Sequence, residues 1–157
     1  MARERRTKQQ IIEDVTFVLN SEMHRDTKRA VVKNAAWAWT SFSGKYKGCP
    51  DWTEAAHERY KQAEQGRKRK GLNHEHAVPI KVFFDMLVAL PSPIQPETVE
   101  RLFEKFMRGV VVTKEQHADL NKKFKNCMPS EFSAATSDPL IRYAHCGLEV
   151  ITVEWSD

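Results

Sequence analysis

The sequence predicts an α+β fold, mostly helical, with helices packed around a small sheet of two or three strands. Three observations lead there. Apolar residues recur at spacings of three and four through most of the chain, the mark of amphipathic helices. Turn-forming Gly and Pro clusters separate these stretches. Only a few short runs, such as VVVT at 110–113 and LEVITVEW at 148–155, have the β-branched character of strands.

Taken in order, Ile11, Ile12, Val15, Val18 and Leu19 fall on one face of a helix within Thr7 to Met23. A second helix is expected to start after Asp26 or Thr27, with Val31, Val32, Ala35, Ala36 and Trp39 as its stripe. SFSGKYKGCP, with Gly44, Gly48 and Pro50, reads as turns. Asp51 and Glu54 have capping-box spacing, so DWTEAAHERYKQAEQ is expected as a third helix ended by Gly66. NHEHAVP reads as a short extended segment, because Pro79 opposes a helix up to that point. IKVFFDMLVAL is apolar nearly all round and long enough for a buried helix.

After the loop PSPIQP, Pro96 and Glu97 open a helix that packs through Val99, Leu102, Phe103, Phe106 and Met107, with Gly109 as its C′ residue. VVVT follows as a strand. Thr113 and Gln116 form a second capping box, so KEQHADLNKKF begins a helix at once. A short helix DPLIRYAHC, a stop at Gly147 and a last strand complete the chain. The 157 residues fit one domain, with a helical part at 1–66 and the sheet-bearing part at 67–157.

The composition narrows the function classes. Lys and Arg number 25 against 21 Asp and Glu, a net charge of +4. The placement of these charges says more than their sum. Arg67, Lys68, Arg69 and Lys70 form an unbroken run that can neutralise phosphates, although a lone run of this kind is commonly just a solvated segment. Cys49, Cys127 and Cys146 are widely spaced, and without a CxxC pair neither a zinc ribbon nor a dithiol redox site is expected. An odd cysteine count behind a charged start, with no long apolar stretch, points to reduced thiols, a cytoplasmic location and no membrane span. The chain has no P-loop, GxGxxG or GxSxG pattern to support nucleotide hydrolysis, dinucleotide redox or hydrolase-elbow chemistry.

One constellation remains. On the helix after VVVT, His117, Leu120, Asn121 and Phe124 share a face. Leu120 and Phe124 are expected to point inward, which places His117 and Asn121 at the margin of the core. Upstream stands HEHAVP, an acid between two histidines at the start of an apolar element. Read singly, each histidine is a capping or boundary residue.

Read jointly, Glu75-His76-Ala77-Val78-Pro79, the strand Val110 to Thr113 and the helix with His117 and Asn121 resemble the HNH group of ββα-metal nucleases. The resemblance covers residues 74–79 and 110–121. It implies a DNA endonuclease in which His76 is the general base and Asn121 orients it or joins the metal shell. Glu75 and His117, with His74 as a rival ligand, would hold one divalent cation, magnesium or manganese rather than zinc. Arg67, Lys68, Arg69, Lys70 and Lys81 would hold flanking phosphates, on DNA rather than RNA. The chain departs from the family pattern in carrying Glu75 in place of aspartate, and in a connection from Pro79 to Val110 long enough for two helices. Adjacent strand residues face opposite ways, so Glu75 and His76 converge only across a bulge, whereas His74 and His76 share a face naturally.

The alternative class is a basic nucleic-acid-binding or regulatory protein without catalysis. Trp37, Trp39, Trp52 and Trp155 beside basic residues suit base stacking, and GKYKGCPDW suits phosphate contact. Core packing is the commoner use of such tryptophans. Trp37 and Trp39 point in different directions on their helix. One belongs to the core, and the other is available for a surface contact or a homodimer.

Overall fold

A computed structural model describes residues 4–155. The fold is α+β and mostly helical, with seven helices and a four-stranded mixed sheet among the described residues.

Helix α1 (Lys8–Asn20) starts where Thr7 accepts from the Gln10 amide while the Gln10 side chain accepts from the Thr7 amide, closing a capping box. Helix α2 (Arg25–Thr40) begins earlier than its apolar stripe suggests, because the His24 ring accepts from the Asp26 amide. Strand β1 (Asp51–Thr53) occupies the stretch expected to open the third helix. Asp51 does not cap; its carboxylate takes two bonds from the Arg108 guanidinium, at 2.8 and 3.0 Å. Thr53 is the true cap of α3 (Glu54–Gln62), accepting from the Ala56 amide. That helix stops before Gly66, which lies in a following turn.

Strand β2 (Leu72–His76) and helix α4 (Ile80–Val88) follow the sequence expectation. Helix α5 (Pro96–Phe106) ends at Met107, and Gly109 opens strand β3 (Gly109–Thr113) instead of stopping the helix. Helix α6 (Lys114–Phe124) starts from the expected Thr113–Gln116 capping box. The Gln116 side chain is also bonded by the Thr53 hydroxyl at 2.6 Å, which ties the starts of α3 and α6 together. Helix α7 (Ile141–His145) and strand β4 (Val150–Thr152) are shorter than expected.

The strand order is β2-β3-β1-β4. β1 lies parallel to β3 and antiparallel to β4, and β2 is antiparallel to β3 with Glu75 opposite Val110. The strand expected least therefore sits in the sheet interior, and the N-terminal part supplies it. Its sequence, DWT, is too short to show alternation, and the adjacent helix pattern masks it.

Three cores follow from this arrangement. Helices α1, α2, α4 and α5 enclose Val15, Val32, Phe83, Phe103 and their neighbours, with Trp39 edge-on to Phe103 at 5.2 Å between centroids. One sheet face buries Val110 and Val112 against Leu120 and Tyr143 of α6 and α7. Trp52, Leu72 and Val111 form the third core, with Tyr46, Tyr60 and Trp155 packed at its rim. Among the described residues no helix is long and apolar enough to cross a membrane.

Gly109 is required by close approach. A Cβ there would stand 2.6 Å from two ring atoms of His74 and 3.3 Å from the Cys49 sulfur. Gly109→Ala is expected to lose about 1–3 kcal/mol of stability through this overpacking, measured as a lower urea midpoint at unchanged slope.

Candidate functional site

The pleat of β2 decides which of the predicted residues meet. Side chains of successive strand residues leave on opposite faces. Glu75 projects toward α6 and α7, while His74 and His76 project toward α2. The sequence grouping of Glu75, His76 and His117 is therefore split: Glu75 and His117 converge, as do His117 and Asn121, but His76 stands on the other side of the sheet. No bulge breaks the β2–β3 register to bring it across.

On the first face Glu75 is buried at 8% exposure. One carboxylate oxygen meets the His117 Nδ1, and the other accepts from the Arg142 Nη2 at 2.8 Å. Asn121, one turn along α6, sets its amide nitrogen 3.0 Å from the His117 Nε2. An amide NH₂ only donates, so Nε2 is the acceptor and Nδ1 carries the proton toward Glu75, a tautomer assigned from this network. Arg142 is the partner that no motif marks. It is 2% exposed, and besides Glu75 it donates to the carbonyl oxygens of Ala77 at 2.9 Å, Phe124 at 3.1 Å and His76. The signal available was a lone arginine inside the apolar stretch LIRY.

On the second face His74 and His76 are each 6% exposed. The Trp37 ring packs against both, edge-on to His76 at 4.3 Å and tilted to His74 at 5.7 Å between centroids. His76 Nε2 lies 3.2 Å from the Thr40 hydroxyl. His74 Nδ1 lies 2.6 Å from the Lys45 carbonyl oxygen and donates to it, which anchors the 41–50 loop to the sheet. Burial lowers the His74 pKa. Burial, reinforced by neighbouring His74, pushes His76 down to about 3. Both rings are therefore neutral near pH 7, and His76 is far too weakly basic in this state for efficient general-base work at that pH.

The arrangement also tests the cation that the resemblance implies. Both ring nitrogens of His117 and both oxygens of Glu75 already have partners, and one of those partners is a guanidinium. A cation there would meet the like charge of Arg142 and would have to displace the hydrogen bonds that hold His117 between Glu75 and Asn121, so these residues as placed do not fit magnesium or manganese. Among the described residues no three His, Cys, Asp or Glu side chains stand together in a way that suits a metal ion.

The basic residues form a different assembly. Arg67, Arg69 and Lys70 are exposed on the turns before β2, and Lys68 is half-buried. The Arg69 guanidinium lies over the Tyr46 ring at 5.4 Å, and the Lys45 Nζ lies 5.8 Å from the same ring. Lys45 also approaches the Trp37 ring at 5.9 Å. Lys68 lies over Tyr60 at 5.5 Å, and Lys47 over Trp155 at 5.6 Å, while Tyr60 and Trp155 pack at 5.0 Å. Two basic loops separated by α3 are thus drawn to one stretch of aromatic surface. Lys81 is apart from this set in its bonding: it pairs with Asp85, which Arg25 also holds. Of the tryptophans, Trp39 and Trp52 are core, as packing predicts, and Trp37 is 37% exposed.

No protein-family model, curated protein or solved structure matches this chain.

Two predictions rest on these groups. Arg142→Met leaves a buried carboxylate without its cation and is expected to lose about 3–5 kcal/mol, with recovery when Glu75→Gln is added, both read by urea unfolding. For His76 the folded pKa lies below the unfolded value, so its contribution is fully present above about pH 6.5 and is lost as pH falls toward about 3. The unfolded chain takes up that proton first. Relative to neutral pH the loss reaches about 2 kcal/mol at pH 5. His76→Gln is expected to flatten the stability profile between pH 6.5 and about 3, whatever its effect at pH 7.

Proposed function

We propose that the protein binds nucleic acid, with DNA as the expected form, through the surface carrying Lys45, Lys47 and the 67–70 turns. The observation that carries the reading is the sharing of one ring: Lys45 and Arg69, from loops on either side of α3, both lie over Tyr46. That sharing concentrates positive charge on a patch that also presents flat apolar faces. Phosphates supply the attraction to such a patch, and released counterions supply much of the free energy. Bases or sugars then have aromatic surface to meet.

Both loops are internally bonded. The Cys49 amide donates to the Tyr46 carbonyl, the Trp52 indole donates to the Cys49 carbonyl, and the Lys70 amide donates to the Arg67 carbonyl. His74 adds its bond to the Lys45 carbonyl. A surface held in this way has less ordering cost when it binds.

The second reading is the DNA endonuclease of the HNH resemblance. What favours it is that Glu75, His117 and Asn121 come together from a strand and the helix that directly follows its partner strand. His117 is also the histidine of the set with an exposed side chain, at 38%. What weighs against it is His76 on the opposite face and Arg142 on the carboxylate.

The test is anisotropy with labelled DNA at two salt concentrations, beside plasmid incubation with magnesium or manganese. Affinity is expected to fall about a thousandfold or more between 50 and 200 mM salt if about six phosphates are neutralised. Lys45→Glu with Arg69→Glu is expected to weaken binding and to flatten that dependence. The plasmid is expected to stay intact. Nicking that disappears in His117→Ala would establish the enzyme in place of the passive module, and no retention of DNA at low salt would end the binding reading.

A further inference from the structure

Resting on the nucleic-acid reading, the geometry points to unpaired strands, not duplex, as the ligand of the Tyr46-centred surface. Cations and rings alternate across it. Trp37 is followed by Lys45, which lies 5.9 Å from its ring and 5.8 Å from the ring of Tyr46. Arg69 covers Tyr46 at 5.4 Å. Lys68, next to Arg69 in the chain, lies over Tyr60, which packs on Trp155, and the rings of Tyr46, Tyr60 and Trp155 all border the core of Trp52 and Leu72. A duplex can use the cations of such a row but not the rings, because its base faces are already stacked on one another. An unpaired strand offers phosphates to the cations and free π-faces to the rings in the same alternation.

The shape of the supporting backbone agrees. Specific duplex readers insert a helix or a two-stranded ribbon into the major groove. The cations ride on turns at 41–48 and 63–71, and the rings come from the first of these turns, from α2, from α3 and from the segment after β4, so no single helix or ribbon presents the set. Two of the lysines that cover the rings are also exposed. Lys45 and Lys47 are exposed side chains on flexible stems, and a phosphate draws such an ammonium away from a ring. In the free protein the lysine shields the aromatic face, and in the complex it turns to the backbone while a base takes its place. Trp37, at 37% exposure, is more open than Tyr46, Tyr60 and Trp155, and its other contacts with His74 and His76 hold its plane in position.

The experiment compares a labelled oligo(dT) strand of about twenty nucleotides, an oligo(rU) strand of equal length and a mixed-sequence duplex, all at low salt. A single strand is expected to bind about tenfold or more tighter than the duplex and to quench tryptophan fluorescence. The oligo(dT) and oligo(rU) arms show whether the strand is DNA or RNA. Tyr46→Ala and Trp37→Ala are each expected to weaken single-strand binding about tenfold more than they weaken duplex binding, while Trp37→Phe restores it. Trp37 packs on buried histidines, so thermal melting accompanies that variant; Tyr46, on a rim loop, gives the same reading without touching them. Equal affinity for duplex and single strand, unmoved by Tyr46→Ala, would overturn the inference and leave the binding surface standing. No binding to any of the three probes would overturn both.

Discussion

The buried guanidinium of Arg142 is the constraint on which this half of the molecule turns. It is supplied by a five-residue helix whose next residue, Tyr143, is buried in the core beneath the sheet. Through one planar group it gathers the Glu75 carboxylate, the His76 and Ala77 carbonyls at the end of β2, and the Phe124 carbonyl at the end of α6. Each of those oxygens would otherwise be buried with reduced hydrogen bonding as the chain leaves regular structure. A charge in this position is tolerable because it is paired and its donors are shared among several acceptors. The exit of β2, the end of α6 and the short α7 are therefore fixed together.

The same guanidinium settles the chemistry of Glu75. A carboxylate between arginine and the Nδ1–H of His117 is satisfied on both oxygens, and its histidine is satisfied on both nitrogens by adding Asn121. Of the residues that resemble a metal nuclease by type and spacing, Glu75, His117 and Asn121 form one hydrogen-bonded network with Arg142, and His74 and His76 lie outside it. The other two histidines have a structural task as well. His74 holds the Lys45 carbonyl and lies over Gly109, and His76 fills the space between Trp37 and Thr40. Burial makes both neutral, which suits packing against an aromatic ring.

Long periodic segments were readable in advance for a plain reason. Helices α1, α5 and α6 each span at least two turns with apolar residues on one side, and α4 is apolar nearly all round, so local pattern and tertiary burial agree. The capping box at Thr113 and Gln116 is likewise a local device, complete within four residues. Strand β1 is the opposite case. Its three residues become a strand because β3 and β4 flank them, and Asp51 is bound by Arg108 from far along the chain. The capping pattern beginning at Asp51 competed with that pairing and lost, leaving Thr53 as the cap. Gly109 shows the same competition: a glycine after a helix suggests a stop, but its lack of a side chain is used by a histidine ring from the neighbouring strand.

The sequence by itself determined the fold class, the placement of most helices, the extended character of 73–76 and 110–113, and the convergence of His117 with Asn121, since a helical repeat places i and i+4 side by side. It also displayed every cation of the basic surface. Only the tertiary structure decided which face of β2 each histidine occupies relative to α6, that Arg142 neutralises Glu75, and that Lys45 and Arg69 meet at Tyr46. The physical reason is range: periodicity and capping act over a few residues, whereas these three outcomes depend on pairing partners that lie roughly 20 to 70 residues away.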